Sequence, residues 1–509
     1  MNGVAEAARD RETTAYSPAV PARPRLGARD VQALQAAGVL LIMLGDIAAL
    51  LMAAGLALAL RLYLLPYVWP SLARELPPQF ARHMAWVLLV AVAFLVYEKL
   101  YVRRQSFWRE TYVVFKALTL TALISFAAVG LAKLSSEISR SVVVLWYLFA
   151  IVTVPAARHF IKPALARAGL WREPVLVLGA GKTGELVTRA LTRSPYMGLS
   201  IAGLLDDDPV KQAHGITVDG KHYRIAGGFK DAPDIIRSHG IKNVIIAAPG
   251  MAGKDQVELV NRLQPLVRSV AVIPDLFGIP VATGEATYFF EEGVLAYRHR
   301  NNLAYLANRL VKRAFDIVVG SVGLVLASPL IIAIALAVKL TSPGPVIFSH
   351  RRIGMGGKEF MCHKFRTMVA NAEDVLRELL EKNPPLRAEW EKDFKLKDDP
   401  RITGVGKILR KTSLDELPQI FNVIKGEMSL VGPRPIVKAE LDKFGNYASD
   451  YLLVRPGITG LWQVSGRNDI DYHERVQLES RYIRNWSLWL DITLLFRTIP
   501  AVLKRDGAY

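Results

Sequence analysis

The sequence predicts a multidomain membrane protein made of a four-helix transmembrane bundle, an α/β domain and a mainly helical carboxyl-terminal domain. A chain of 509 residues is too long for one domain. Its mean hydropathy of +0.24 and its hydrophobic content of 51% are too high for a wholly soluble protein. Long apolar stretches, a glycine-rich turn and a group of charged motifs follow one another along the chain.

The charged residues favour an anionic partner. The chain has 64 Lys and Arg against 46 Asp and Glu, which gives a formal net charge of +18. This excess suits nucleic acid, phosphorylated substrates or an acidic membrane surface, and the charge alone does not choose among them. The single cysteine, Cys362, excludes an intrachain disulfide and a thiolate zinc cluster. Any chemistry therefore relies on oxygen and nitrogen groups.

Four apolar stretches predict transmembrane helices within residues 36–157, after a flexible cytoplasmic tail at 1–35. The stretches are 36–65, 84–101, 111–132 and 141–157. Each approaches the roughly 20 residues that a helix needs to cross a hydrocarbon core. Buried helices of a soluble domain are the alternative. The flanking Lys and Arg residues are concentrated on the side of the amino terminus, which predicts that the tail and everything after the fourth span are cytoplasmic.

A glycine-rich turn predicts a Rossmann-like, nucleotide-binding type of domain at 174–275. Gly179, Gly181 and Gly184 have the spacing G-x-G-x-x-G, between a buried strand and a helix. A second strand ends in Asp206, Asp207 and Asp208, where an acid that binds a ribose could lie. One interpretation is a bound NAD-type nucleotide. The other is a scaffold whose glycines serve only the turn and the helix packing. No substrate domain follows, which disfavours a redox enzyme.

A longer apolar segment at 314–340, after a linker at 276–308, predicts a re-entrant helix. Pro329 lies at its middle with Ser328 beside it, and proline removes a helical hydrogen bond, so we expect a helix break at this pair. Basic residues lie at both ends, which predicts that both ends are cytoplasmic. A kinked true span is the alternative, and it would place the rest of the chain outside the cell.

The carboxyl-terminal part, 309–509, contains an acidic pair in basic surroundings. Asp415 and Glu416 lie at the expected start of a helix, and carboxylates can hold Mg²⁺ or attack phosphorus. Cationic groups bind phosphate oxygens and neutralise developing charge. The candidates are Lys364, Arg410 and Arg434.

Glu416 has a second interpretation. Ser413-x-x-Glu416 also has the spacing of a helix capping box, in which Glu416 would only bond a backbone amide. The basic residues nearby favour phosphoryl chemistry over capping.

Residues 309–509 resemble the bacterial sugar transferase family, the polyprenyl-phosphate phosphoglycosyl transferases with a re-entrant membrane helix. The motifs that carry the resemblance are KFRTM, SLDELPQ, LVGPRP and PGITGLWQVSGR. The resemblance implies an enzyme that transfers a hexose-1-phosphate from a UDP-hexose to undecaprenyl phosphate and releases UMP. It favours galactose, with glucose as the alternative. The product would initiate O-antigen, capsule or exopolysaccharide synthesis.

The resemblance also implies roles for matching residues. Asp415 would be the nucleophile that forms a covalent phosphosugar, and Glu416 would bind Mg²⁺. The remaining positions are Lys364, Arg410 and Arg434 near the phosphates, Arg467 near the nucleotide, Asp491 as a further acid of the site, and Ser328 and Pro329 as the helix-breaking pair.

The same resemblance implies a multi-pass protein of the bacterial inner membrane. Its catalytic and Rossmann-like domains would face the cytoplasm, and it would form a homodimer without a nucleic-acid partner. A non-catalytic membrane scaffold or sensor that uses the middle domain is the rival reading. The intact acidic pair disfavours it.

Overall fold

The computed structural model describes residues 28–70, 80–131, 139–275, 285–289, 294–298, 302–383, 385–387, 399–466 and 470–503. The chain divides into two compact units, Met1–Asp275 and Leu276–Tyr509. Most of the predicted tail at 1–35 and part of the predicted linker at 276–308 lie outside the described residues.

The amino-terminal part of the first unit consists of long helices whose sequences are apolar over several turns. Helix α1 continues through a π-helical turn, Leu60–Leu64, into the short α2. The helices are α1 (Ala28–Ala59), α2 (Leu65–Val68), α3 (Phe80–Tyr97), α4 (Phe107–Leu131) and α5 (Arg140–Arg167).

Four helices of the described part are long and apolar enough to cross a membrane, which indicates that the protein associates with one. Three of them match predicted stretches: Ala33–Val68, Phe107–Leu131 and Arg140–Arg167. The predicted stretch at 84–101 corresponds to a shorter apolar helix, Ala81–Tyr97. The fourth membrane-length helix, Leu306–Thr341, lies in the second unit.

A buried ion network joins α1, α4 and α5. Arg158 donates to both oxygens of Asp46, at 2.8 and 2.5 Å, and also to Glu110. Lys162 donates to both oxygens of Glu110 at 2.6 Å. All four side chains are at most 1% exposed. Charges inside an apolar bundle are tolerated when they are paired, so this network fixes how the three helices pack.

The middle of the first unit is an α/β fold around a four-stranded parallel sheet of order β2-β1-β5-β6. Strand order therefore reverses between β1 and β5, and their carboxyl ends open a cleft. This confirms the predicted Rossmann-like α/β type. The elements are β1 (Glu173–Leu178), α6 (Lys182–Thr192), β2 (Leu199–Leu205), α7 (Pro209–His214), β3 (Ile216–Val218), β4 (Lys221–Tyr223), α8 (Ala232–His239), β5 (Asn243–Ile246), α9 (Gly253–Leu263) and β6 (Ser269–Val272).

The second unit is mainly helical, with three two-stranded sheets among its described residues. Its core lies around the parallel pair β11 and β12, where Val431, Tyr482, Trp486 and Leu494 are buried. The elements are β7 (Glu285–Phe289), β8 (Val294–Arg298), α10 (Leu306–Thr341), β9 (Ile347–Ile353), β10 (Glu359–Phe365), α11 (Ala372–Lys382), α12 (Gly404–Thr412), α13 (Gln419–Lys425), β11 (Ser429–Val431), α14 (Lys438–Leu441), α15 (Ala448–Leu452), β12 (Gly457–Thr459), α16 (Tyr472–Arg484) and α17 (Leu488–Leu503).

Helix α10 runs as one α-helix through Pro329. The Ser328 hydroxyl donates to the carbonyl of Val325 at 2.8 Å. The helix break that the sequence predicted at Ser328 and Pro329 does not interrupt the helix. The re-entrant course of the segment stays a prediction. The amino-terminal half of α10 is fixed to β11, because Asp316 accepts hydrogen bonds from the Ser429 hydroxyl and the Leu430 amide.

Candidate active site

One cleft of about 660 Å³ in the second unit brings together five of the residues that the sequence singled out. They reach it from separate elements: a strand, a helix, a tight turn and the Gly-Pro-Arg-Pro segment after β11. The five residues are Lys364, Arg410, Asp415, Glu416 and Arg434.

The acidic pair lies on a single 3-10 turn, Leu414–Glu416, between α12 and α13. Ser413 starts this turn in the left-handed conformation, with φ +56, which ends α12 and redirects the chain. The Ser413 side chain makes no capping hydrogen bond. The capping box considered from the sequence is therefore not formed. The pair precedes an α-helix and does not begin one, and both carboxylates face the cleft.

Lys364 on β10 is the cation that faces both carboxylates. Its Nζ lies 2.6 Å from Glu416 Oε1 and 3.6 Å from Asp415 Oδ2. Burial raises the pKa of Asp415, Lys364 lowers it, and the neighbouring charge of Glu416 raises it further. The Asp415 side chain is 14% exposed against 31% for Glu416. The more deeply placed carboxylate is thus the poorly solvated one, which suits a nucleophile.

Two arginines add positive charge to the cleft. Arg410 lies in the last turn of α12, and its Nε donates to the Thr367 hydroxyl at 2.9 Å. Burial lowers the pKa of Arg410, while the charge of Asp415 raises it. Arg434 lies with its guanidinium carbon 5.6 Å from the ring centre of Trp462, and its backbone amide donates to Glu479 at 3.1 Å. Neither arginine forms an ion pair within 4 Å among the described residues, so both are suited to binding phosphate oxygens.

Several residues in the cleft or bonded to its lining were missed by sequence reasoning. Thr367 orients Arg410, Trp462 stacks on Arg434, and the carboxylate of Glu479 is 1% exposed beneath the Gly-Pro-Arg-Pro segment. Thr367 belongs to the motif KFRTM and Trp462 to the motif PGITGLWQVSGR, so membership of these motifs could have marked both residues as candidates. Their partners lie far away in the chain, so the motif alone could not reveal these contacts.

Asp491 is not among the residues that line this cleft. It is fully buried and accepts hydrogen bonds from Lys312 at 2.7 Å, Tyr482 at 2.7 Å and Trp486 at 3.0 Å. In this position the carboxylate holds three internal donors together and does not face a substrate. Arg467, which the resemblance placed near the nucleotide, lies outside the described residues.

The glycine-rich turn of the first unit borders a separate cleft of about 800 Å³. Gly179 has φ +103, and a Cβ on Gly184 would lie 2.0 Å from the Gly179 carbonyl oxygen. These two glycines thus serve the turn and the helix packing. A Cβ on Gly181 would meet nothing within 4 Å.

Asp206, at the end of β2, accepts the Ala180 amide at 2.7 Å and Lys211 at 3.2 Å. Its carboxylate is bound to the turn itself, which does not fit the expected ribose-binding role. The scaffold interpretation is the better supported one, and an NAD-type ligand stays a prediction.

Comparisons with known proteins agree with the two-part organisation. The profile of the family described as bacterial sugar transferase matches residues 307–505, and that of a CoA-binding domain matches residues 86–274. The chain is 41% identical to the undecaprenyl-phosphate galactose phosphotransferase of Salmonella typhimurium over 413 residues, 80% of this chain and 84% of that protein.

Two further relatives have similar descriptions. The UDP-galactose-lipid carrier transferase of Erwinia amylovora is 38% identical, over 86% of this chain and 90% of its own length. The UDP-glucose:undecaprenyl-phosphate glucose-1-phosphate transferase of Escherichia coli is 34% identical, over 72% of this chain and 75% of its own length. With the acidic pair, its lysine and its two arginines gathered in one cleft of the matching region, this chain belongs to the bacterial sugar transferase family.

Proposed function

We propose that the protein transfers a hexose-1-phosphate from a UDP-hexose to undecaprenyl phosphate, through a phosphosugar bound covalently to Asp415. The observation that carries this proposal is the pairing of a poorly solvated Asp415 with Lys364 in a cleft that also holds Arg410 and Arg434. Galactose is the favoured sugar, because two of the three relatives named above carry galactose in their descriptions. Glucose is the alternative, from the third.

The first half-reaction forms the covalent intermediate. A carboxylate oxygen of Asp415 attacks the sugar-bearing phosphorus of the donor and forms a new phosphorus–oxygen bond. The bond from that phosphorus to the bridging oxygen breaks, and UMP leaves with the oxygen and its electron pair. The pKa of Asp415, although raised by burial, is lowered by Lys364, so that lysine supports the ionised form that attacks.

The second half-reaction discharges the intermediate. A phosphate oxygen of undecaprenyl phosphate attacks the same phosphorus, and the Asp415 carboxylate leaves. The product is undecaprenyl diphosphate hexose, and no group is oxidised or reduced. A covalent intermediate allows a water-soluble donor and a lipid acceptor to use one site in turn, because the two substrates need not be bound together.

The basic residues have separate tasks in this scheme. Lys364 holds Glu416 at 2.6 Å and keeps the two carboxylates from repelling each other. The guanidinium groups of Arg410 and Arg434 bind phosphate oxygens and neutralise the charge that develops on the leaving UMP.

The family resemblance implies Mg²⁺, and the carboxylates fit this ion. Mg²⁺ is commonly held by one or two carboxylates together with substrate phosphates and water. Asp415 and Glu416 supply such a pair, and the described residues contain no group of three or more His, Cys, Asp or Glu that would form an all-protein cage. We assign Glu416 as its protein ligand. When bound, the ion would neutralise the diphosphate of the donor.

We further propose that the protein lies in the bacterial inner membrane with the cleft facing the cytoplasm, where nucleotide sugars are made. Support comes from the membrane-length α10, which ends at Thr341, close in sequence to Pro345, Ile347 and Phe348 of the cleft. The product would start an O-antigen, capsule or exopolysaccharide repeat unit. A homodimer rests on the family resemblance alone.

The test is UMP release by purified protein in lipid nanodiscs with undecaprenyl phosphate and either UDP-galactose or UDP-glucose. Asp415→Asn should abolish release with both donors. Asp450→Asn is the matched control, because Asp450 has the same 14% side-chain exposure but pairs with Arg484 outside the cleft. Wild-type rates from Asp415→Asn, or no release by the wild-type protein with either donor, would refute the proposal.

A further inference from the structure

Arg366, within the KFRTM motif, has a buried charge that the protein only partly satisfies. The residue is 7% exposed and lines the same cleft as the acidic pair. Its Nη2 donates to the carbonyl of Ser342 at 2.7 Å, but its Nε and Nη1 have no hydrogen-bond partner in the described part of the chain. Buried donors without acceptors cost free energy, so these two nitrogens point to an anionic ligand that is absent from the protein itself.

The position of Arg366 distinguishes it from the other cleft cations. Ser342 directly follows the last residue of α10, so the guanidinium lies at the carboxyl end of the membrane-length helix. Exposed apolar side chains line this part of the cleft, with Ile347 39% and Phe348 52% exposed. A cation beside exposed apolar surface matches a ligand that has a charged head and a hydrophobic chain.

The same residue is connected to the reacting groups through its neighbour. Thr367 accepts the hydrogen bond from Arg410, which faces Asp415. An anion held by Arg366 would thus lie next to the residue that orients Arg410.

We propose that Arg366 binds the phosphate group of the polyprenyl phosphate acceptor in the second half-reaction, with the isoprenoid chain against Ile347 and Phe348. This inference rests on the proposed function. Gly344 lies against Nη1, because a Cβ on this glycine would lie 2.3 Å from that nitrogen, and its φ is +115. The proposal requires that this glycine turn shift when the acceptor binds, because Nε and Nη1 are both buried.

The experiment separates the two half-reactions. Protein in nanodiscs without acceptor is incubated with radiolabelled UDP-galactose, and the covalent adduct is quantified. Undecaprenyl phosphate is then added, and the rate of adduct loss is followed. In Arg366→Lys and Arg366→Gln, discharge to lipid should slow by about 10- to 100-fold more than adduct formation does, the loss expected for charge-assisted hydrogen bonds.

Two more variants make the result decisive. Phe348→Ser should raise the KM for undecaprenyl phosphate by a larger factor than the KM for the UDP-sugar. The Phe348 side chain is 52% exposed, so the substitution should leave the protein folded. Arg313→Lys is the structural control, because Arg313 also caps a helix end, through the carbonyls of Val423 and Ile424 at 2.6 and 2.7 Å, but does not line the cleft. It should leave the ratio of discharge to adduct formation unchanged.

The outcomes distinguish the inference from the proposed function. Equal slowing of both half-reactions in the Arg366 variants, or no slowing of discharge, would overturn the acceptor assignment while leaving the covalent mechanism standing. Absence of any adduct in the wild-type protein under turnover conditions would refute the proposed function and this inference with it. If the Arg366 variants fail to fold, an unchanged KM for lipid in Phe348→Ser overturns the assignment.

Discussion

Lys364 and Glu416 form a 2.6 Å ion pair that joins strand β10 to a turn 52 residues further along the chain. The same ammonium group lies 3.6 Å from Asp415 Oδ2, so one lysine serves both members of the acidic pair. Glu416 has the shorter contact. The positive charge of Lys364 stabilises the ionised form of Asp415, but the longer distance leaves the Asp415 carboxylate without a close ion-pair contact to this lysine.

The first prediction concerns the pH dependence of adduct formation. Lys364 lowers the pKa of Asp415 against the effect of burial, so Lys364→Met should raise that pKa further. Because the attacking carboxylate must be ionised, the acid limb of the pH–rate profile should move to higher pH, with a loss of about 10- to 100-fold at neutral pH. Single-turnover UMP release across the pH range measures this.

Lys425→Met is the matched control for Lys364. Lys425 also pairs with a glutamate, Glu427, at 2.5 Å, but it does not line the cleft. Its variant should keep the acid limb of the wild type. An unshifted limb in Lys364→Met would show that this lysine does not tune Asp415.

The second prediction is that Asp415→Asn stabilises the protein at neutral pH. Burial raises the pKa of Asp415 in the folded state, so the folded protein holds this proton more tightly than the unfolded chain does. Protonation of Asp415 therefore adds to the free energy of unfolding. This contribution is complete below the unfolded-state pKa and is lost as pH rises through the folded-state pKa. Removing the charge should raise the free energy of unfolding at pH 7 by on the order of 1 kcal/mol.

Melting temperatures of Asp415→Asn and wild type, compared at several pH values, test this. The advantage of the variant should shrink as pH falls through the folded-state pKa of Asp415. Asp450→Asn should instead destabilise, because it removes the partner of Arg484 at 2.8 Å. A variant at position 415 that melts below wild type at pH 7 would contradict the prediction.

The third prediction separates a structural role from a substrate role for Asp491. Asp491→Asn leaves Lys312 buried without its counter-charge, which should cost about 3–5 kcal/mol of unfolding free energy. In the folded fraction, the KM for the UDP-sugar should stay within about twofold of wild type. Thermal melting and steady-state kinetics measure the two effects. A raised KM with unchanged melting would restore the substrate role that the family resemblance implied.

The fourth prediction concerns the ion network of the membrane helices. Arg158→Ala removes the shared partner of Asp46 and Glu110 and leaves two buried carboxylates with too little positive charge. The expected loss is about 3–5 kcal/mol, visible as a lower melting temperature in detergent. Lys116→Ala, whose lysine is 52% exposed in its pair with Glu98, should leave the melting temperature close to that of wild type, because exposed ion pairs contribute little. Equal melting of the two variants would contradict a structural role for the network.

Much of the architecture was predictable because it depends on local pattern. Apolar runs longer than about 18 residues indicate membrane-length helices, and the G-x-G-x-x-G turn between a strand and a helix indicates a parallel α/β sheet. The acidic pair and its basic neighbours were predictable as a group because short motifs carry them. Their roles in catalysis remain predictions that the experiments above address.

The rest depends on contacts between distant parts of the chain. Asp491 is paired with Lys312, 179 positions earlier, and no local pattern distinguishes such a buried acid from one in a cleft. Arg366 donates to the carbonyl of Ser342, 24 positions earlier at the end of α10, and local sequence does not reveal that its other two nitrogens are buried without a partner. Glu416 has capping-box spacing, and only the left-handed Ser413 and the contact with Lys364 exclude that reading.

The most direct test of the account is mass spectrometry of the protein incubated with UDP-galactose in the absence of undecaprenyl phosphate. The account predicts one hexose phosphate on the peptide that contains Asp415, absent from Asp415→Asn and lost when undecaprenyl phosphate is added. Turnover without any adduct, or an adduct on another residue, would contradict it.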